Sequence, residues 1–373
     1  MDERPFFVGA KRFRSGHRFA TMSATCQLTE EGDVNDPSEP ATLKDVARVA
    51  GVALSTVSAY LNSTRKVSPA LQVRIRDAVR ELDYIPNFQA RNLRMKRAAS
   101  IGLVVPELAN PYFAALAEGI ESRLSGTGVT LTLSLTGSTG DREEAHASLL
   151  RRARLDGLVV ISATGRTTSA LLDLIERFPV VLADEQLPSL NAAFVGSDNR
   201  RGARSVADVA LASGGRRPAI IAGPRSLWTA EARLSGYREA LAGSGIEEHD
   251  VILERGDYTF ASGLAAAMRL YPLERYDGSG PDIVIASNDL MALGVLRHLR
   301  RIGASVPEDV VVVGFDDIPV ADMITPTLTT VSQPAHDIGF TATDLLLRTI
   351  DGEALADERV ELPTELRVRE STR

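Results

Sequence analysis

Three hydroxyl side chains, Ser55, Thr56 and Ser58, fall within four residues at the expected start of a short helix. Short hydroxyls suit phosphate oxygens there, because free backbone N–H groups and the helix dipole also favour an anion. Gripping a nucleic-acid backbone is one use of such a set; a helical hairpin that only packs is the plain alternative. Other chemistries lack their residues. No G-x-G-x-x-G follows the first strand of the body, and neither G-x-x-x-x-G-K-[ST] nor G-x-S-x-G occurs. A nucleotide-dependent enzyme is therefore not expected, and no catalytic residue is assigned. The single cysteine, Cys26, cannot form an intramolecular disulfide, and no Cys/His spacing of metal-binding type is present. That combination suits a reducing cytoplasm and predicts neither metal nor cofactor. His146, His249, His298 and His336 are scattered and read as solvated surface.

The hydroxyls need a scaffold, and residues 41–86 supply one. Thr42 followed by Asp45 is a capping-box-like start. Leu43, Val46, Ala47 and Ala50 then keep helical spacing, and Gly51 ends that helix. A second helix is expected over 54–61, with Val57 and Leu61 inward. Ser68-Pro69 opens a third, carrying Leu71, Ile75, Val79 and Leu82 on one stripe, and Pro86 blocks its continuation. Helix, tight glycine turn, helix, loop and helix make a helix-turn-helix arrangement.

Charge follows the same division. The 373 residues carry a formal net charge of −7, which as one average argues against nucleic acid. Residues 41–100 alone carry +7, whereas those after 100 carry −12. A basic head on an acidic body is a signature of nucleic-acid binding, with a solvated charged face as the alternative. Residues 1–40 show no sustained periodicity and read as a disordered extension, with Met22 a second candidate start. No run is long and apolar enough for a membrane span, and no apolar core of a signal peptide follows the N-terminal basic residues.

Beyond residue 100, apolar strands alternate with helices. Strands are expected at 101–105, 129–135, 158–161 and 180–182, with helices at 112–124, 142–155 and 169–177. After Asp198 the alternation resumes: helices at 201–212, 230–244, 260–270 and 289–301, with strands at 219–221, 251–253, 283–286 and 310–314. This predicts two doubly wound parallel-sheet lobes around a cleft, with ligands at the C-terminal ends of the strands. Asp184, Asn288 and Asp316 each follow such a strand.

Several motifs resemble the LacI/GalR family of transcriptional regulators. In the head they are Thr42-Leu43-Lys44-Asp45-Val46-Ala47, Ala50-Gly51-Val52, Thr56-Val57-Ser58 and Asn62. Tyr84-Ile85-Pro86-Asn87 and Ala90-Arg91-Asn92-Leu93 resemble the family's hinge. In the body they include Asn110-Pro111-Tyr112-Phe113, Ala222-Gly223-Pro224, Ser287-Asn288-Asp289 and Gly314-Phe315-Asp316-Asp317. The resemblance covers roughly residues 41–370. It implies an all-α helix-turn-helix headpiece at 41–86, a hinge at 87–99 and a periplasmic-binding-protein-like body at 100–373. Lobe 1 would take about 100–197 and 334–356, and lobe 2 about 198–331 and 357–373.

The resemblance also implies roles. Leu54, Ser55 and Ala59 match base readers, while Thr56, Ser58 and Arg65 would position the DNA backbone. Tyr84 and Leu93, in the hinge-like motifs, are further DNA-binding candidates, with Leu93 matching a wedge for the minor groove. Two positions depart from the family pattern. Ala53 stands where a Ser or Thr cap is usual, and Ala59, often Arg, offers at most contact with a thymine methyl. An unusual operator, or one read largely by shape, is expected. In the cleft, Arg233, Asp316 and Asn288 match ligand-binding polar residues. Tyr258 matches a stacking aromatic, Tyr112 and Phe113 an aromatic wall, and Asp184 and Trp228 are further candidates. A structural ion pair, loop caps and ordinary core are the competing explanations for these residues. The expected protein is a homodimeric, operator-binding regulator, most simply a repressor, controlled by a small effector. Leu227, where purine-binding members carry arginine, favours a sugar over a nucleoside. No leucine-heptad tail follows the body in this sequence, so a tetramerising extension is not expected.

Overall fold

The computed structural model describes residues 41–61, 65–84, 99–137, 145–146, 149–150, 152–187, 189–272 and 274–372. Leu93, Asn62, the extension 1–40 and nearly all of the hinge lie outside the described residues, as does part of the expected helix 142–155. The chain divides into two units, Met1–Pro86 and Asn87–Arg373.

In the head, α1 spans Leu43–Ala50, α2 Leu54–Leu61 and α3 Pro69–Glu81. The capping box is complete: Asp45 N–H donates to Thr42 Oγ1, and Thr42 N–H donates to Asp45 Oδ2 at 3.0 Å. Those bonds, with Arg48 beside them, hold the half-buried Asp45 carboxyl down at about 2. Gly51 closes α1 at φ 61, in the left-handed region, where a side chain would also strike Arg74. Ser68 precedes α3 but its hydroxyl makes no capping bond; Pro69 in the first turn sets the entry. Val46, Val57 and Ile75 are fully buried and seal the three helices together.

The body is α/β. In lobe 1, β1 (Ser100–Val105), β2 (Thr130–Leu135), β3 (Gly157–Val160), β4 (Val180–Ala183) and β5 (Ala193–Ser197) form a parallel sheet with β11 (Arg359–Leu362). Its order is β11-β5-β4-β3-β1-β2. Helices α4 (Pro111–Leu124), α5 (Ser169–Ile175) and α10 (Ala335–Ile350) belong to this lobe. Lobe 2 holds a parallel sheet ordered β7-β6-β8-β9: β6 (Pro218–Ala222), β7 (Ile252–Arg255), β8 (Ile283–Ala286) and β9 (Val311–Val313). It carries α6 (Asn199–Ala212), α7 (Trp228–Gly243), α8 (Phe260–Leu270) and α9 (Asp289–Ile302). A short antiparallel pair, β10 (Thr330–Ser332) with β12 (Glu365–Arg367), completes it.

Each sheet is apolar on both faces, as helix-covered parallel sheets must be. Ile101, Leu103 and Val105 of β1 face one core while Val104 faces the other. In β6, Ile220 and Ala222 part from Ala219 and Ile221 in the same way.

One expected boundary moves. Residues from 357 onward are expected in lobe 2, yet β11 pairs with β5, Arg359 opposite Phe194 through Leu362 opposite Ser197. The chain returns to lobe 2 only after Leu362, because the free edge of β5 needs a partner. Ser371 then anchors the chain end by donating its hydroxyl to the Val312 carbonyl at 2.6 Å. His298, expected on the surface, is 2% exposed, with Nε2 2.9 Å from the Tyr271 carbonyl oxygen. It occupies the inner face of α9, where helical spacing outweighs residue type.

Candidate functional site

On the head, Leu54 and Ser55 are exposed in the first turn of α2, and Leu54 keeps 42% of its surface although it is apolar. Thr56, Ser58 and Ala59 are half-buried along the same helix, and Arg65 is exposed just beyond it. Ala53 supplies only its carbonyl, which accepts from Thr56 N–H at 2.9 Å and Val57 N–H at 3.3 Å. Tyr84 is placed differently: it packs against the head core while its N–H closes the end of α3 on the Val79 carbonyl.

In the body, a cavity of about 970 Å³ lies between the lobes, near the upper end for small-molecule sites. Strand ends and helix starts from both lobes deliver its polar groups. Arg233, on α7, is 4% exposed and held through two of its three guanidinium nitrogens. Its Nε donates to Asn199 Oδ1 at 2.7 Å, and Nη1 to the Ser287 carbonyl at 2.6 Å and Asp316 Oδ1 at 3.4 Å. The guanidinium also lies 4.0 Å from the centre of the Phe315 ring. Asp316 accepts a second bond from Gln333 Nε2 at 2.7 Å. Burial pushes its carboxyl up to about 6, with Arg233 and Gln333 pulling the other way.

Asn199 and Gln333 stand at two of the segments where the chain crosses between lobes. The central pair is therefore tied directly to two of the interlobe crossings. Sequence reasoning missed both; the signal was a polar side chain directly beside each crossing.

Asp184 lines the cavity and accepts from Tyr112 Oη at 2.7 Å; burial raises its carboxyl, opposed by Arg233 and that hydroxyl. Tyr112 is 5% exposed and packs in the lobe 1 core, edge-on to Phe113, which lines the cavity. Tyr258 lines the opposite wall, 5.7 Å from the Arg233 guanidinium. Its ring lies so close to Gly223 that a Cβ there would come within 2.4 Å. Asn288 is at the cavity wall, but its Oδ1 caps α9 at Met291 N–H and its Nδ2 holds the Tyr258 carbonyl at 2.9 Å. Asp184, Tyr258 and Asp316 have φ of 61°, 68° and 114°. Side-chain-bearing residues in that region mark positions where the surroundings impose a costly backbone.

Trp228 is not among the cavity-lining residues. Its indole packs edge-on against Phe194 of lobe 1, ring centres 5.8 Å apart. It opens α7, and the first-turn side chain of that helix points across to the other lobe rather than into the cavity. Sequence reasoning also missed Glu185, beside Asp184. It accepts from the N–H of Trp228 and, at 2.8 Å, from Thr229 Oγ1. Burial, with Asp184 next to it, pushes its carboxyl up to about 8. Asp289 was also missed. Fully buried at the start of α9, it accepts from Ile318 N–H at 2.9 Å and Thr330 Oγ1 at 2.5 Å, and so fixes the loop bearing Asp316. Among the described residues, no group of His, Cys, Asp and Glu could hold a metal ion. None of their helices is long and apolar enough to cross a membrane.

A helix-turn-helix head joined to a two-lobed, ligand-cavity body defines a ligand-responsive DNA-binding regulator. Comparison with known proteins agrees segment by segment. Residues 42–87 match the family model "Bacterial regulatory proteins, lacI family", and residues 207–372 match a periplasmic binding protein-like domain. The HTH-type transcriptional regulator CelR of Thermobifida fusca is 37% identical over 341 residues, 88% of this chain and 98% of that protein. The ribose operon repressor of Escherichia coli (strain K12) is 32% identical over 325 residues, 86% of this chain and 97% of its own. The solved CelR–cellobiose complex aligns at a TM-score of 0.65 with 35% identity, over 89% of this chain and 99% of that one. The lac repressor dimer bound to operator and the anti-inducer ONPF aligns at 0.70 with 29% identity, over 90% and 99%. The chain belongs to the lacI family of bacterial regulatory proteins. Its relatives are transcriptional regulators, not enzymes.

Proposed function

We propose that the protein is a homodimeric repressor whose hold on operator DNA is set by a sugar in the interlobe cavity. The carrying observation is the buried Arg233–Asp316 pair facing that cavity while bonded to Asn199 and Gln333 at the lobe crossings. A ligand that engages the pair acts on these interlobe crossings at the same time. The planar guanidinium fork can take adjacent hydroxyls, and the carboxylate accepts from them. Tyr258 and Phe113 supply the apolar faces that a sugar ring stacks on. Relatives that bind cellobiose or serve a ribose operon point to the same ligand class. The effector shifts the DNA-binding equilibrium by its differential affinity for the two states.

On the DNA side, Leu54, Ser55 and Ala59 face the bases, while Thr56, Ser58 and Arg65 hold phosphates. Two heads in one dimer read two half-sites. The single-cysteine composition is in keeping with a cytoplasmic location.

Two measurements test this. Selection from a random duplex library with the full chain should enrich a two-half-site sequence. Affinity for it should fall by about 10³–10⁵ between 50 and 200 mM salt, for 6–10 phosphate contacts. A thermal-shift panel of cellobiose, ribose, their phosphates and adenosine should give a sugar hit that changes DNA affinity. No enriched duplex overturns the DNA reading, and a hit with adenosine alone overturns the sugar reading.

A further inference from the structure

Helices of lobe 2 begin at the cleft, and three of them carry their own caps. Asp198 caps α6, Thr259 caps α8 and Asn288 caps α9, each accepting a backbone N–H of its own first turn. Helix α7, which bears Arg233, is built otherwise. The residue in its cap position is Leu227, whose side chain has no acceptor. A helix start left this way has orphan N–H groups. Here a carboxylate from the other lobe takes them. Glu185, just past β4 in lobe 1 and 2% exposed, accepts the N–H of Trp228 at one oxygen. At the other it accepts the N–H of Thr229 at 3.4 Å and the Thr229 hydroxyl at 2.8 Å.

Two further contacts sit beside this cap. The Trp228 side chain leaves its own lobe and packs with Phe194 on the lobe 1 core. Gly165 of lobe 1, at φ +64, lies so close to lobe 2 that a Cβ would stand 2.0 Å from the Ser226 carbonyl oxygen. Cap, aromatic plug and backbone contact thus all bear on residues 226–229.

We propose that Glu185, Trp228 and Gly165 form an interlobe latch. It holds the cleft closed by capping, from lobe 1, the lobe 2 helix that presents Arg233. These are positioning residues: none needs to touch the effector, and they set how much of the protein has Arg233 held in place. The assignment builds on the reading of the cleft as an effector site, but its test needs no effector. An N-cap contributes roughly a fivefold factor to an equilibrium. The closed-to-open ratio should therefore fall at least that far when the carboxylate is removed. By linkage, any ligand gripped by both lobes binds correspondingly more weakly.

Trp228 is the sole tryptophan, so the emission of the intact protein reports this contact directly. In Glu185→Ala without ligand, emission should shift to the red, acrylamide quenching should rise, and the radius of gyration from small-angle scattering should grow. Glu185→Gln, which keeps an acceptor oxygen, should recover part of each change. Gly165→Ala should produce the same opening without removing any hydrogen bond. If Glu185→Ala fails to fold, judged by circular dichroism, Gly165→Ala and Thr229→Val carry the same test. Folded variants with wild-type quenching and wild-type radius would overturn the latch, whatever the sugar panel returns. A panel without hits would overturn the sugar assignment while leaving the latch to the fluorescence result.

Discussion

Helices α7 and α9 both open onto the cleft from lobe 2, and they are started by different means. Asn288 caps α9 from the preceding residue, and Asp289 in its first turn pins the loop that presents Asp316. Everything α9 needs comes from its own lobe. The first turn of α7 is satisfied by Glu185 of the other lobe. The difference divides the central pair by mechanism. Asp316 stands on a part that is fixed within lobe 2, and Arg233 on a part whose support depends on the lobes being together. Coupling between ligand and lobe position is then concentrated on α7.

Breaking the pair itself should have the largest effect. Arg233→Ala leaves Asp316 buried without its cation and should cost about 3–5 kcal/mol in chemical denaturation. It should also abolish the effector-induced shift in Tm. A variant that kept the full shift would remove Arg233 from the site.

Next in size is pH, which separates the two carboxylates. Sugar hydroxyls donate to the ionised form of Asp316, whose carboxyl sits at about 6. Effector affinity, followed by isothermal titration calorimetry, should be flat above that value and about tenfold weaker one unit below it. Stability of the ligand-free protein should run the other way. Asp316 and Glu185 are raised by burial, so the folded state holds their protons more tightly than the unfolded chain does. Their contribution is therefore lost as pH rises from 3.8 to about 6 for Asp316, and from 4.5 to about 8 for Glu185. Melting temperature should accordingly be higher at pH 5 than at pH 8, and Glu185→Gln should flatten the upper part of that slope.

Smaller effects follow from the caps. Asn288→Ala removes the cap that α9 makes for itself and should cost about 1 kcal/mol in denaturant unfolding. It should leave Trp228 quenching unchanged, because α9 does not depend on the other lobe. Leu227→Ser gives α7 a cap of its own and should add about 0.5 kcal/mol. It should make Glu185→Ala less damaging than in the parent, which a double-mutant cycle measures. Independent, additive effects would remove the distinction between the two helices.

The sequence by itself determined the head and the alternation of the body, because those signals are local. Thr42 and Asp45 lie three residues apart, Gly51 must turn the chain left-handed, and Pro69 can only begin a helix. Strand-end positions likewise put Asp184, Asn288 and Asp316 at the cavity. Tertiary structure alone decided the roles that need a distant partner. Trp228 fills lobe 1 rather than lining the cavity, and Tyr84 belongs to the head core. Glu185 finds α7 some 43 residues further along the chain. Asn199 and Gln333 meet Arg233 and Asp316 only once both lobes are built. Edge strand β11 alternates polar and apolar over only four residues, too few to mark a strand until β5 offers it hydrogen bonds. A helix start without an acceptor beside it carries no mark of where its acceptor will come from. That choice is made when the second lobe folds against the first and the orphan N–H groups must be satisfied.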